Sequence, residues 1–138
     1  MKFIREGKQY EILLEDYYLT RFEFAGDITI HFQAAEPQDW TIKLTLSSHF
    51  RLTRGRKTQT YQVDDLQGFQ QLTNLWQNQV QSLKAGRNGT LQLKTRGGAL
   101  LEIEDGPFEN WDFWAYKERC KRESKTHLIG GMGRLVII

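Results

Sequence analysis

The sequence predicts an α+β fold, mainly a curved antiparallel β-sheet or roll built from hairpins and a meander, with one main amphipathic helix packed on it. Three observations lead to this prediction. Several short segments alternate apolar and polar residues, as half-buried strands do. Turns rich in glycine, asparagine and aspartate separate many of these segments. One segment instead spaces its apolar residues by three and four positions, which is the period of a helix face.

The first predicted hairpin is centred on the turn Ala25-Gly26-Asp27. Before this turn, residues 18–24 place Tyr, Thr, Phe and Phe at alternate positions, and after it residues 28–33 place Ile, Ile and Phe at alternate positions. The two segments therefore form a hairpin with one apolar face. Further strands are predicted at residues 41–46, where aliphatic residues alternate with threonine and lysine, and at residues 50–52.

The predicted helix runs from Asp64 to about Asn78. Its apolar stripe consists of Leu66, Phe69, Leu72 and Trp76. Asp64 is the predicted N-cap, and Gln67 three residues later completes a variant of the capping box. A helix of about 14 residues is roughly 21 Å long, which is enough to cover one face of a sheet. The whole stripe, including Trp76, is therefore predicted to belong to the core.

A second meander is predicted after the helix. Residues 90–94 and 101–104 alternate aliphatic and polar residues, and Asn88-Gly89 suits a type I′ hairpin turn because both central positions of that turn need a positive φ. Arg96-Gly97-Gly98 is predicted to form the next turn. A glycine-rich turn at residues 130–133 precedes Arg134–Ile138, which is predicted to be a final buried strand.

Length and composition predict a single domain over residues 1–138. Cys120 is the only cysteine, so an internal disulfide is impossible, and this suits a reducing compartment. Residues 1–7 carry charges where a signal peptide needs an apolar run. No stretch approaches the roughly 18 apolar residues of a membrane span. We therefore expect a cytoplasmic protein that is not inserted in a membrane.

The sequence contains no recognisable motif for catalysis, metal binding or a cofactor. The candidate zinc ligands are His31, His49, His127 and Cys120, and they do not follow the spacing of known zinc sites. Cys120 could pair with His127 as nucleophile and base, but no third group is evident that would orient the base. We therefore expect no catalytic residue, no metal ligand and no cofactor, and a protein that is not an enzyme.

The segment from residue 102 to residue 116 is the candidate binding region. It carries five acids and no base between Glu102 and Asp112. If alternate residues of the strand around residues 111–116 face the core, Trp114 and Tyr116 must face the other way. The predicted binding set is Glu102, Glu104, Asp112, Trp114 and Tyr116 on one outward face. Two interpretations stay open, since the aromatic residues are either covered by the helix or a loop, or form a contact surface.

A basic segment supports a weaker hypothesis of nucleic-acid contact. Residues 51–57 contain Arg51, Arg54, Arg56 and Lys57 and no acid, and such side chains can contact phosphates. The net charge is only +2, and no RNA- or DNA-binding signature is present. An exposed turn between strands explains the segment more simply, so nucleic acid is not the favoured partner.

The order of predicted elements resembles a family of small uncharacterised bacterial proteins. The resemblance covers about Glu15 to Ile138 and rests on short motifs: Leu19-Thr20-Arg21-Phe22, Asp64-Asp65, Gly97–Ile103, Pro107–Asp112 and Gly133–Val136. In this chain Asp112 stands where the family usually has glutamate, and the insert from Lys117 to Thr126 is longer and more basic. The family has no assigned catalytic residues. Some of its members look like immunity partners of bacterial toxins, which implies a protein-binding role.

Three functional hypotheses follow. The favoured one is a non-enzymatic protein-binding domain, most specifically an immunity-like partner of a bacterial toxin, in which the acids of the predicted binding set would steer a basic toxin domain. The alternative is a small-ligand-binding or enzymatic domain that uses a cleft on the sheet. The third is nucleic-acid contact through the basic loops.

Overall fold

The computed structural model describes residues 3–36, 40–104, 106, 108–117 and 125–138. Its elements are β1 (Phe3–Glu6), β2 (Gln9–Ile12), β3 (Tyr17–Phe24), β4 (Ile28–Ala34), β5 (Trp40–Leu46), β6 (Phe50–Arg54), β7 (Lys57–Tyr61), α1 (Leu66–Thr73), β8 (Val80–Gly86), β9 (Leu91–Thr95), β10 (Ala99–Ile103), β11 (Glu109–Lys117), β12 (Lys125–Gly131) and β13 (Arg134–Ile137). Cys120 and Pro107 lie outside the described residues, as does most of the basic insert between Lys117 and Thr126.

The strands form two antiparallel sheets. The first sheet has the strand order β1-β2-β8-β9-β10-β6-β7, and the second has the order β13-β12-β11-β5-β4-β3. Each predicted hairpin is present, but the turn at Asn88-Gly89 is not the predicted type I′, because Gly89 has a positive φ of 93° and Asn88 does not. The Gly89 amide donates to the Gly86 carbonyl at 3.0 Å and the Gly86 amide donates to the Thr90 carbonyl at 2.9 Å, so the loop is one residue longer than a type I′ hairpin loop. Mostly antiparallel strands with one short helix confirm the predicted α+β class.

One stretch of chain joins the two sheets at a corner. In the first sheet, β2 pairs with β8 through Ile12 opposite Leu83. A few residues later, Tyr18 in β3 forms an isolated antiparallel bridge with Gln79, just ahead of β8. The chain from β2 to β3 therefore runs along one side of β8 while it passes from the first sheet to the second. A strand that changes sheets in this way gives the paired sheets their rolled shape.

The core lies between the two sheets and includes residues from both. Trp111, Phe50 and Phe113 are its largest fully buried side chains. The indole Nε1 of Trp111 donates to the Gly89 carbonyl at 2.9 Å, which satisfies a polar group that would be costly to bury alone. A Cβ at Gly130 would lie 2.2 Å from the Trp111 ring, so only glycine fits there. The ring thus ties β11 to the β8–β9 turn and to β12.

Helix α1 differs from the sequence prediction in length, cap and buried face. It spans only Leu66–Thr73, and its N-cap is Asp65, whose carboxylate accepts from the Gln67 amide at 2.9 Å. The buried positions are Gly68, Leu72 and, just past the helix, Leu75. Leu66 is 55% exposed and Trp76 is 57% exposed, so the prediction that both belong to the core is wrong.

The early end of α1 explains why Trp76 leaves the predicted stripe. The amides of Leu75 and Trp76 bond to carbonyls three residues earlier, which tightens the chain into turns. Gln77 then takes a φ of 64°, which no helix can continue through. Trp76 consequently lies over the edge of the second sheet, where its Nε1 donates to the Thr20 carbonyl at 3.2 Å.

The terminal strand β13 exists as predicted but is not buried. It lies at one edge of the second sheet and pairs with β12. Ile137 is 52% exposed, and Ile138 beyond the strand is 66% exposed. The β-branched run indicated a strand correctly. Burial on both faces did not follow, because an edge strand of a two-sheet roll has one face and one side open to solvent.

Candidate functional site

The predicted binding set is divided between the two sheets. Trp114, Tyr116 and Asp112 lie on the outer face of β11 in the second sheet, because the intervening residues of β11 point into the core. Glu102 and Glu104 instead lie on or just after β10 in the first sheet. The expectation that all five residues share one outward face is therefore wrong. Only the β11 residues are brought together.

The two acids of the first sheet are occupied by a neighbouring arginine. Strand β6 pairs with β10, which places Arg51 opposite Glu102. The Arg51 guanidinium lies 3.2 Å from a Glu102 carboxylate oxygen and 2.7 Å from Glu104 Oε1. Gln92 also donates to Glu102 at 3.3 Å. The acidic and basic segments of the sequence thus meet in space, and this part of the surface has little net charge to steer a partner.

The outer face of the second sheet carries an apolar row across β11, β12 and β13. Trp114 lies opposite His127, and Ile129 lies opposite Val136. Ile138 exchanges two backbone hydrogen bonds with His127, at 2.8 and 3.2 Å, so its side chain joins the same face. We call these residues the outer strip: Trp114, His127, Ile129, Val136 and Ile138. They are half-buried except Ile138, which is exposed.

The rings of Trp114 and His127 form the centre of the outer strip. Their centroids are 3.7 Å apart and their planes differ by 19°, which is a close stacked arrangement. Tyr116 lies one row away on the same face, opposite Thr41 of β5. Stacked rings on paired strands lose little conformational entropy on contact with another molecule, since few rotatable bonds remain to be fixed.

Asp112 is a half-buried carboxyl group beside the outer strip. It lies opposite Ile129 on one side and Thr45 on the other. Burial raises the pKa of Asp112, and the nearby charges of His127 and Lys43 oppose that shift only in part. A carboxyl group kept where its charged form is penalised is more typical of functional surfaces than of surfaces that serve stability alone.

The other half of this outer face is polar. His31 Nε2 lies 3.2 Å from Glu23 Oε2, and this hydrogen bond lowers the pKa of Glu23, with smaller contributions from Arg21 and Lys43. Lys43 lies opposite both His31 and Trp114, so it stands between the polar half and the outer strip. The outer face therefore has a charged half of both signs and an apolar half.

A small depression lined by residues of β3, β4 and β5 lies at the polar end of this face. Its volume is about 280 Å³. The lining residues include Arg21, His31, Gln33 and Trp40. Pockets for small molecules usually measure about 300–1,000 Å³ and are mostly apolar. The depression is thus at the lower limit of size for the ligand-binding alternative, and its lining is more polar than such sites usually are.

Within the described residues, no three histidine, cysteine, aspartate or glutamate side chains come together as a metal site. Cys120, one of the candidate ligands and the candidate nucleophile, lies outside these residues. Among the described helical residues, none forms a segment with the length and apolarity needed to cross a membrane. Comparison of the chain with protein-family models, with curated proteins and with solved structures found no match.

Sequence reasoning found Trp114 but missed the other members of the outer strip. Ile129 was not assigned to a strand, and Val136 and Ile138 were assigned to a buried one. The available signal was the alternation within residues 125–131 and 134–138, where every second residue must share a face. His127 was considered only as a metal ligand or catalytic base, although its position opposite Trp114 depends on register that the sequence does not display.

Proposed function

We propose that the protein is a non-enzymatic protein-binding domain and that the outer strip is its contact surface. The observation that carries the proposal is the stacked Trp114–His127 pair on an outer sheet face, continued by the aliphatic side chains of Ile129, Val136 and Ile138. An apolar patch rimmed by polar groups is typical of protein interaction sites. Tryptophan is the residue type most enriched among the side chains that dominate interface energies.

The charges around the outer strip change which kind of partner is expected. Glu102 and Glu104 were expected to attract a basic protein, but they belong to the other sheet and are bonded to Arg51. Among the described residues, the charges beside the strip are of both signs: Asp112 has Lys43 near it on one hand and the acids Glu109 and Asp27 on the other. A partner that packs an apolar surface on the outer strip and meets charges of both signs around it is therefore better supported than a basic partner. An immunity-like role toward a bacterial toxin remains its most specific version, and it rests on the family resemblance.

The proposal is tested with Trp114→Ala. Immobilised wild type and variant capture partners from cells of the source organism, and any protein retained only by wild type is purified and titrated by calorimetry. Because interface tryptophans dominate binding, we expect Trp114→Ala to weaken affinity by about 2 kcal/mol or more, which is roughly 30-fold. The matched control is Thr60→Ala on the outer face of the first sheet, where Thr60 lies opposite Arg51, and it should bind like wild type.

A thermal melt of each variant separates binding from stability. The proposal requires that Trp114→Ala keep a cooperative melt close to wild type while its affinity falls. If Trp114→Ala instead loses stability and its folded fraction binds with wild-type affinity, Trp114 serves the fold and the outer strip is not the contact surface.

A further inference from the structure

Two hairpin turns lie side by side at one end of the first sheet. One is the β6–β7 turn, residues 54–57, and the other is the β9–β10 turn, residues 96–98. Arg54 lies opposite Ala99 on one side and Lys57 on the other, so the turns are held at the same edge by strand register. Strand β10 alone separates β6 from β9, which places the two turns about 10 Å apart.

These turns bring four exposed cations together, which we call the basic end: Arg54, Arg56, Lys57 and Arg96. Among the described residues, no carboxylate lies within ion-pair distance of any of them. Arg51 provides the contrast, since it belongs to the same basic segment of sequence but is bonded to Glu102 and Glu104. The structure thus removes Arg51 from the sequence-predicted basic group and adds Arg96 from the neighbouring turn.

A groove between the β6–β7 hairpin and α1 adds hydrogen-bonding groups to the basic end. Its volume is about 320 Å³. It is lined by Leu52, Arg54, Lys57, Gln59, Tyr61, Gln67 and Gln71, and this described lining includes no acid. Tyr61 donates its hydroxyl to Gln59 Oε1 at 2.9 Å, so the carbonyl oxygen of Gln59 is engaged and its amide N–H groups remain as donors.

We infer that the basic end binds the phosphate backbone of a nucleic acid. Arginine and lysine beside amide donors match the oxygens of a phosphodiester, and the release of counterions from a polyanion drives such binding. An acidic protein is the less suitable occupant, because protein interfaces depend on apolar anchors. The groove offers none: Leu52 is 4% exposed, and the Tyr61 ring packs on Phe50 with centroids 5.7 Å apart. This site is separate from the outer strip.

The test is fluorescence anisotropy with a labelled 20-nucleotide single-stranded DNA between 50 and 200 mM salt. Each neutralised phosphate contributes about 0.7 to the negative slope of log K against log salt, so four cations predict a slope of up to about −2.8. The triple variant Arg54→Gln, Arg56→Gln, Arg96→Gln should weaken binding at least tenfold at 50 mM salt. The same variant should reduce the steepness of the slope by about 2.

The matched control removes three positive charges from the other end of the first sheet, beside the β8–β9 turn. Lys8, Arg87 and Arg134 lie there, since the Arg87 amide bonds to the Lys8 carbonyl and the Arg87 carbonyl accepts from Leu135. The triple variant Lys8→Gln, Arg87→Gln, Arg134→Gln should keep wild-type affinity and slope. Equal loss in both triple variants, absence of binding by wild type at 50 mM salt, or equal competition by a polyglutamate peptide would each overturn the inference.

Discussion

At the scale of single residues, Asp112 is the clearest case of a side chain whose ionised form is destabilised by folding. Its carboxyl group is half-buried beside the outer strip, and burial raises its pKa. The folded state therefore binds the Asp112 proton more tightly than the unfolded state does. Ionisation of Asp112 consequently lowers stability as pH rises through the raised folded pKa.

We predict that Asp112→Asn is more stable than wild type at pH 7. Asparagine keeps the shape of the side chain and removes the charge whose burial is penalised. The advantage should shrink as the pH falls through the raised pKa of Asp112 and vanish below the unfolded value, about 3.9. Urea melts at a series of pH values between 7 and 3 measure it. A less stable Asp112→Asn at pH 7 would show that the charges of Lys43 and His127 outweigh burial.

At the scale of elements, α1 shows that the helical spacing of apolar residues can be predicted correctly while the buried face of the helix is predicted wrongly. Leu72 is fully buried, whereas Trp76 is 57% exposed and held by one hydrogen bond to Thr20. We expect Leu72→Ala to cost about 3–5 kcal/mol of unfolding free energy and Trp76→Ala about 1–2 kcal/mol. Denaturant melts of the two variants provide the comparison. Equal losses would mean that Trp76 does belong to the core, as the sequence pattern alone suggested.

The strands that sequence analysis recovered share a physical feature that the missed ones lack. Each hairpin predicted from turn chemistry is present, as at residues 18–33, although a bulge between Leu19 and Arg21 places Leu19 in the core, where the predicted apolar face had Tyr18 and Thr20. Strand β1 was missed because all four of its residues are exposed, so it shows no alternation. Strand β8 was missed because a bulge between Val80 and Ser82 shifts its period by one residue. The helix was overextended because the three-four spacing continues past Thr73 although the hydrogen bonding does not.

At the scale of the whole molecule, sheet order determined what local patterns could not. Alternation correctly predicted that Trp114 and Tyr116 face away from the core. The same alternation applies to Glu102 and Glu104, but β10 pairs with β6 and β9, while β11 pairs with β5 and β12. The pairings of β10 with β6 and of β11 with β5 join residues far apart in sequence, and no local signal specifies them. The acids and the aromatic residues were therefore predicted individually, but their separation was not.

The sheet order also gives the roll two chemically different outer faces. The first sheet presents the Arg51–Glu102–Glu104 cluster and, at one end, the basic end. The second sheet presents the outer strip beside its polar half. The two proposed partners would therefore bind separate surfaces and would not compete. Saturation of the basic end with DNA should leave the affinity for a protein bound at the outer strip unchanged.

The most direct test of the account is hydroxyl-radical footprinting of the complex with the captured partner. If the outer strip is the contact surface, Trp114, Ile129, Val136 and Ile138 should lose most of their reactivity on binding. Leu100, on the outer face of the first sheet, should react as in the free protein. Protection of Leu100 with unchanged reactivity of the outer strip would contradict the central claim.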